Sequence, residues 1–262
     1  MDASHVEKMQ LARRDKLGDM TTREAGEARM LKLLMWIYRW GWTSPSVANR
    51  HADPHRNGLI ERAVKAGLIE KIKTDGGGAR DVPTAVLLLT KAGAAEVERH
   101  FDDPDQLLPL TKKAPFELLR HNSICQRKAL DFMSAGDEIE TEKELMRYLG
   151  DDENPSRAGQ KVPDFIVVGE QLDQAVEVEL TGKWGRDFDQ MAERIFRALS
   201  ENAYQQCLFL SDSPAILKRY QKALQPGGAV NKWVKSSGRW IGMGRIAITH
   251  DFTNQLFFEL LT

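Results

Sequence analysis

Apolar positions recur at helical spacing in the first third of the chain. Between Glu27 and Trp40, residues Met30, Leu33, Leu34, Ile37 and Trp40 share one side of a 3.6-residue period, which predicts a helix closed by Gly41. Ser44 ahead of Pro45 predicts a short second helix, SPSVANRH. Asp53 ahead of Pro54 predicts a third, PHRNGLIERAVKAG, ending at Gly67. The period then changes to two. Leu68 to Lys73 alternates and predicts a strand, Thr74 to Asp81 a Gly-rich turn, and Ala85 to Leu89 the returning strand. Leu89-Thr90-Lys91-Ala92-Gly93 opens a last helix that runs to the region of His100.

Three prolines interrupt the pattern between Phe101 and Pro115. The expected division is a polar arm over 1–25, a first module over 26–103 and a second over 104–262. In the second, Phe116 to Met133 predicts an amphipathic helix. Lys161 to Val168 and Ala175 to Lys183 predict two strands joined by a turn at Gly169 to Asp173. Asp187 to Ser200 predicts a helix, Gln205 to Leu210 a strand, and Ser213 to Leu224 another helix. Arg245 to Ile248 and Gln255 to Leu260 predict two closing strands, and 150–160 predicts a mobile loop. The expected fold class is α/β, of the α+β kind.

Composition narrows the function classes. The chain has 262 residues, 42% hydrophobic and 29% charged, which excludes disorder and a fibrous repeat. Two cysteines far apart, Cys125 and Cys207, exclude a disulfide framework and a Cys-rich zinc site. No apolar run reaches the roughly 20 residues that span a bilayer, and the polar first 30 residues lack a signal-peptide core, so a cytoplasmic location is expected. The net charge of −1 hides an asymmetry. Lys32 to Arg80 holds nine Lys/Arg against four Asp/Glu, a net +5, whereas Asp131 to Glu179 holds four against fourteen, a net −10. Two modules with different partners would produce this, and so would two solvated surfaces with none.

The acidic half carries the candidate chemistry. On the strand after the turn, Val176, Val178 and Leu180 point one way and Glu177, Glu179 and Thr181 the other. Carboxylates two apart on a strand sit roughly 6.6 Å apart and can converge on one cation. Asp164, at the start of the preceding strand behind Pro163, is brought towards them by the hairpin. Three such carboxylates repel unless a cation joins them, and a hard, oxygen-preferring ion, Mg²⁺ or Mn²⁺, suits the set. The plain alternative is an exposed acidic strand face.

Three helices followed by a hairpin resemble a winged helix-turn-helix over about 75 residues, with GLIEKIK…LLLTKAGAAEVERHF in the place of the wing and following helix. The resemblance implies that the third helix enters the major groove of double-stranded DNA. It offers His55, Arg56, Asn57, Arg62 and Lys65 for bases and phosphates, with Lys71, Lys73 and Arg80 of the wing on the backbone. A winged helix used for protein contacts is the alternative.

PDFIVV…AVEVELTGK, followed by a helix and a strand, resembles the PD-(D/E)xK nuclease core, a restriction-endonuclease-like mixed sheet, over residues 115–225. It departs from that pattern at the lysine position, which is Glu179; Lys183 is the candidate substitute. A winged helix ahead of such a core is similar to the replication-relaxation family and to MobC-type relaxases of mobilizable plasmids. The resemblance implies a metal-dependent endonuclease that nicks DNA at a transfer origin. Asp164 and Glu177 would hold the metal, and Glu179 would complete its shell or orient water. Single-stranded DNA at the nick and other relaxosome or coupling proteins are the further partners it implies. Two alternatives stay open: a non-catalytic DNA-binding regulator or replication accessory with a degenerate core, and a transposon-associated or restriction-like endonuclease.

Weaker signals complete the reading. The six histidines, His5, His51, His55, His100, His121 and His250, contain no His-x-His pair, so the metal motif of tyrosine relaxases is missing. His121 and Gln190 are accessory candidates near the carboxylates. Tyr148, Tyr204 and Tyr220 read as structural. Trp233 and Trp240 lie among Lys232, Lys235 and Arg239, a patch that suits either stacking on single-stranded DNA or the edge of a core.

Overall fold

The computed structural model describes residues 20–54, 58–76, 79–149, 162–248 and 251–261, without the side chains of 148 and 149. Most of the expected arm, His55, Arg56, Asn57, the tip of the Gly-rich turn, the 150–160 loop, Lys161 and the Tyr148 side chain lie outside these residues. The protein mixes helices and sheets and divides into two compact units, Met1–Leu119 and Arg120–Thr262.

Among the described residues, unit one begins with α1, Thr22–Trp40. Thr21 and Glu24 form a reciprocal capping box, which starts the helix five residues before the apolar period does. Ser44 caps α2, Pro45–Ala52, through the Val47 N–H at 3.3 Å. The third helix is shorter than its sequence suggests. Asp53 ends α2 instead of capping the next helix, and α3 spans Leu59–Lys65. Gly58 precedes it at φ 111°, a left-handed conformation that sets the helix start after Asn57-Gly58 and not at Pro54.

Strands β1, Ile69–Lys73, and β2, Ala85–Leu89, pair antiparallel, and Thr43 bridges to Leu87 as a third rung. Thr90 caps α4, Lys91–Glu98. Leu33, Leu34, Ile37, Leu59, Leu87 and Val97 form the core, each contributing about 1.5–3 kcal/mol by leaving water. Residues 104–119, expected to open the second module, fold with the first. Leu108 joins this core and its N–H donates to Tyr38 Oη at 2.8 Å, while Ala114 and Leu119 pack with Trp42, Val86 and Leu88.

Unit two runs α5 (Leu119–Ala135), β3 (Glu138–Thr141), α6 (Glu142–Leu149), β4 (Phe165–Val168), β5 (Gln174–Val178), α7 (Gly185–Ser200), β6 (Gln206–Ser211), α8 (Pro214–Leu224), β7 (Ala229–Ser236), β8 (Arg239–Ala247) and β9 (Leu256–Leu260). The main sheet has the order β3-β4-β5-β6-β9. The pairs β3–β4 and β4–β5 are antiparallel, and β5–β6 and β6–β9 are parallel. Helix α7 supplies the crossover that a parallel β5–β6 pair requires.

Three sequence expectations change here. The acidic stretch before the loop holds a strand and a helix, β3 and α6, which alternation too short to register did not reveal. The second hairpin strand stops at Val178, and residues 179–184 form a connection with no strand ladder to β4. The strand expected at Arg245 to Ile248 is longer than its sequence suggests: it is the end of β8, Arg239–Ala247, which pairs with β7.

Candidate functional site

Topology gathers the site at one end of the main sheet. β4 runs antiparallel to β5, so the start of β4, the exit of β5 and the exit of parallel β6 lie together. The open carboxyl ends of parallel strands are where α/β sheets place ligands. Asp164 stands there at the start of β4, Glu177 and Glu179 at the exit of β5, and Asp212 after β6.

The alternative of an exposed acidic strand face does not hold for Glu177 and Glu179. Glu177 is 2% exposed and Glu179 3%. β5 is the middle strand of five, and four of its five residues are buried, so both of its faces are covered. Alternation distinguished two faces of this strand but could not tell which of them met water.

Asp164 is locked in place from several sides. Its Oδ2 accepts the Val178 N–H at 2.7 Å, extending the β4–β5 ladder with a side chain, and lies 3.2 Å from His121 Nε2. Its own N–H donates to the Val176 carbonyl at 3.1 Å, and its carbonyl accepts from the Glu142 N–H at 3.3 Å. His121 on α5 also places Nε2 3.0 Å from the Val178 carbonyl and Nδ1 3.0 Å from Asn122 Oδ1. Burial alone would lower the His121 pKa. The hydrogen bond and charge of Asp164 outweigh it, helped by Asn122 and Val178, and push it up to about 9. The accessory candidate is therefore a half-buried imidazole whose basicity is raised by the first carboxylate.

Glu179 has a different set of partners. Its Oε1 accepts from Lys183 Nζ, so the candidate substitute lysine folds back onto the residue that occupies the usual lysine position. Tyr220 Oη accepts the Lys183 N–H at 3.0 Å and lies 3.5 Å from Glu179 Oε2. Burial first, then the Glu179 charge, push the Tyr220 phenol up to about 12, opposed by the Lys183 N–H and Arg219. Arg219 donates to the Lys183 carbonyl and fixes the connection further. Arg120 pairs with Asp212 at the same end of the sheet. Gln190 is half-buried on α7, and no described hydrogen bond joins it to the carboxylates.

Among the described residues, the one group of three potential ligands with donor atoms all within 4.8 Å of one another is His121, Cys125 and Asp164; Asp164, Glu177 and Glu179 do not form such a group. A thiolate–imidazole cage is a poor description of that trio. The Cys125 sulfur is 3.7 Å from Nδ1 and 4.0 Å from Nε2, nearly equidistant, whereas a shared metal requires one ring nitrogen. Burial, followed by the charges of Asp164, Glu142 and Glu177, holds the Cys125 thiol well above its ordinary value, hence protonated. The same ordering places three carboxylates within electrostatic reach of one buried atom. Glu142 is the member sequence reading missed, because β3 and α6 were not legible. Lys143 beside it is pulled down to about 8 by burial, against Glu144.

The basic candidates of unit one behave otherwise. Arg62 and Lys65 are exposed one turn apart on α3, where i,i+3 side chains share a face. Lys73 is exposed, Lys71 lies 3.9 Å from Glu61, and Arg80 lies 3.5 Å from Asp81. Compared with known protein families, characterised proteins and solved structures, the chain matches none.

Proposed function

We propose that the protein binds DNA through unit one and cleaves a phosphodiester bond with the carboxylates of unit two, as a PD-(D/E)xK-like nicking enzyme of relaxase type. The observation that carries this reading is the order helix α5, strand β3, helix α6, antiparallel strands β4 and β5, crossover helix α7 and parallel strand β6, with Pro163-Asp164 ahead of β4 and Glu177 and Glu179 at the exit of β5. Support for the winged-helix reading comes from the three helices, the β1–β2 hairpin and the Thr43 rung, with Arg62 and Lys65 outward on α3.

The donor chemistry fits a hard divalent cation. The charges of Asp164, Glu142 and Glu177 all act on the buried Cys125 thiol, and the site's basic side chains, His121 and Lys183, are engaged by Asp164 and Glu179. Oxygen donors of this kind suit Mg²⁺ or Mn²⁺. Asp164 and Glu177 would hold it, and a bound ion of this class supplies an activated water and neutralises phosphate charge. The chain's own groups do the rest. His121 and the Val178 N–H orient Asp164, and Lys183 presents an ammonium beside Glu179, where a phosphate oxygen can take it over. Water is the favoured nucleophile because Tyr204 and Tyr220 are buried, at 3% and 0% exposure.

The experiment is nicking of supercoiled plasmids carrying candidate transfer origins, in Mg²⁺ and in Mn²⁺, followed by a denaturing gel. Expected is metal-dependent nicking that Asp164→Ala or Glu177→Ala abolishes, without a protein–DNA adduct. A second reading, a DNA-binding regulator with a degenerate core, draws on Glu179 at the lysine position. Sequence-specific DNA binding without cleavage in either metal would establish it over the first.

A further inference from the structure

The β7–β8 hairpin is fastened to unit two at its root, where Val230 joins the core, and β8 stands exposed along its length. Residues 229–247 contain four Lys/Arg and no Asp or Glu. Every residue of β8 is exposed, including Trp240 at 39%, Ile241 at 48% and Met243 at 65%. A two-stranded ribbon is marginal in water unless something holds it. Here its root is tied down: Asp189 on α7 accepts from Asn231 Nδ2 and Trp233 Nε1, both at 2.9 Å. Ser237 and Gly238, at φ 48° and 78°, make the tight turn whose twist suits a hairpin, so the tip is shaped as well as anchored. The arm is thus built, basic and apolar at once, and uncovered.

Pairing sets its faces. Lys235 is opposite Trp240 on the face that carries Trp233, with Arg239 beside the turn. The basic and aromatic character continues past the arm. Arg186, which also pairs with Asp187, stands 5.7 Å from the Trp240 ring, and Trp184, two residues earlier, is 73% exposed with Arg219 stacked 3.6 Å from its centroid. Trp184 adjoins Lys183, the partner of Glu179. A strip of exposed indoles and cations therefore leads from the carboxylate end of the sheet to the hairpin tip.

We propose that this strip, Trp184, Arg186, Trp240 and Lys235, joined at the turn by Arg239 from the other face of the ribbon, binds single-stranded DNA. It rests on the reading of unit two as acting on DNA for its choice of polyanion. Cations without opposing acids on the arm match a phosphate backbone, and exposed indole faces match unpaired bases, whose faces a duplex keeps stacked. Its place beside Lys183 suits the strand freed at a nick.

The test uses the full chain carrying Asp164→Ala, so that binding is read without cleavage. A labelled oligothymidylate and a mixed-sequence duplex of the same length are compared by fluorescence anisotropy across salt. Trp184→Ala and Trp240→Ala are each expected to weaken single-strand binding about tenfold and to leave duplex binding unchanged, with Trp→Phe restoring most of the loss. Lys235→Glu with Arg239→Glu should lower the salt slope on the single strand by about 1.4. These side chains are exposed, and a thermal melt checks that each variant folds as the parent does. Unchanged single-strand affinity in the tryptophan variants overturns the proposal, as does an equal loss on duplex. Loss of sedimentation with anionic phosphatidylglycerol vesicles, with single-strand binding intact, also overturns it and assigns the arm to membranes. A protein that never nicks but loses single-strand binding in these variants defeats the nuclease reading and keeps this one.

Discussion

Unit one and unit two use charge in opposite ways. On α3 and the β1–β2 hairpin, Arg62, Lys65, Lys71 and Lys73 stand exposed, and the ion pair of Lys71 with Glu61 is long, at 3.9 Å. At the end of the main sheet, Asp164, Glu177 and Glu179 are wholly or largely buried, and Asp164 and Glu179 are interlocked with His121 and Lys183. Exposed cations cost the fold little and remain free to meet phosphates, which suits binding. Buried carboxylates cost the fold desolvation and are held at fixed positions, which suits chemistry. The difference between the two regions lies in solvent exposure more than in residue type.

The largest expected effect breaks the buried side. Asp164→Ala should lower nicking by more than about a hundredfold, and it leaves the half-buried His121 without its carboxylate, so a urea melt should show a loss of about 2 kcal/mol. Parent-like nicking in this variant would remove Asp164 from the site.

The pH dependence sharpens the same side. The folded pKa of His121, about 9, lies above its ordinary 6.5. Its contribution is therefore fully present below pH 6.5 and lost as pH rises towards 9, up to about 3 kcal/mol in all. Lys143, depressed to about 8, works the other way above that pH, because the unfolded chain then binds the extra proton. The window for His121 alone is pH 6.5 to 8. Stability should fall across it in the parent and stay level in Asp164→Asn.

On the exposed side, Arg62→Glu with Lys65→Glu should weaken duplex binding at least tenfold and lower its salt slope by about two. Its thermal midpoint should match the parent's, since surface changes stay within about 0.5 kcal/mol. A large loss of stability would mean that these cations serve the fold.

Smaller still, Tyr204→Phe and Tyr220→Phe should retain nicking within about twofold of the parent, because each phenol is buried and water is the proposed nucleophile. An adduct on the denaturing gel that one of these changes removes would overturn that mechanism. The smallest effect is Lys71→Ala, expected to cost less than about 0.5 kcal/mol in a urea melt for its exposed, 3.9 Å pair with Glu61.

Local pattern carried far in this chain. The apolar period of Leu33, Leu34 and Ile37, the Ser44-Pro45 start of α2, the alternation of Leu68 to Lys73 and the apolar run CLFL of β6 each state their element within a few neighbouring residues. The Pro163-Asp164 and Glu177-x-Glu179 spacing likewise named three residues that share one end of a sheet. Tertiary structure alone decided what surrounds them. Burial of β5 on both faces depends on β4 and β6 beside it and on helices distant in sequence, so alternation could not distinguish buried glutamates from exposed ones. His121 meets Asp164 across 43 positions, and Tyr220 reaches Glu179 across 41, distances over which sequence spacing carries no geometric information. The uncovered β7–β8 arm was decided the same way, because exposure is a property of what the rest of the fold leaves unpacked.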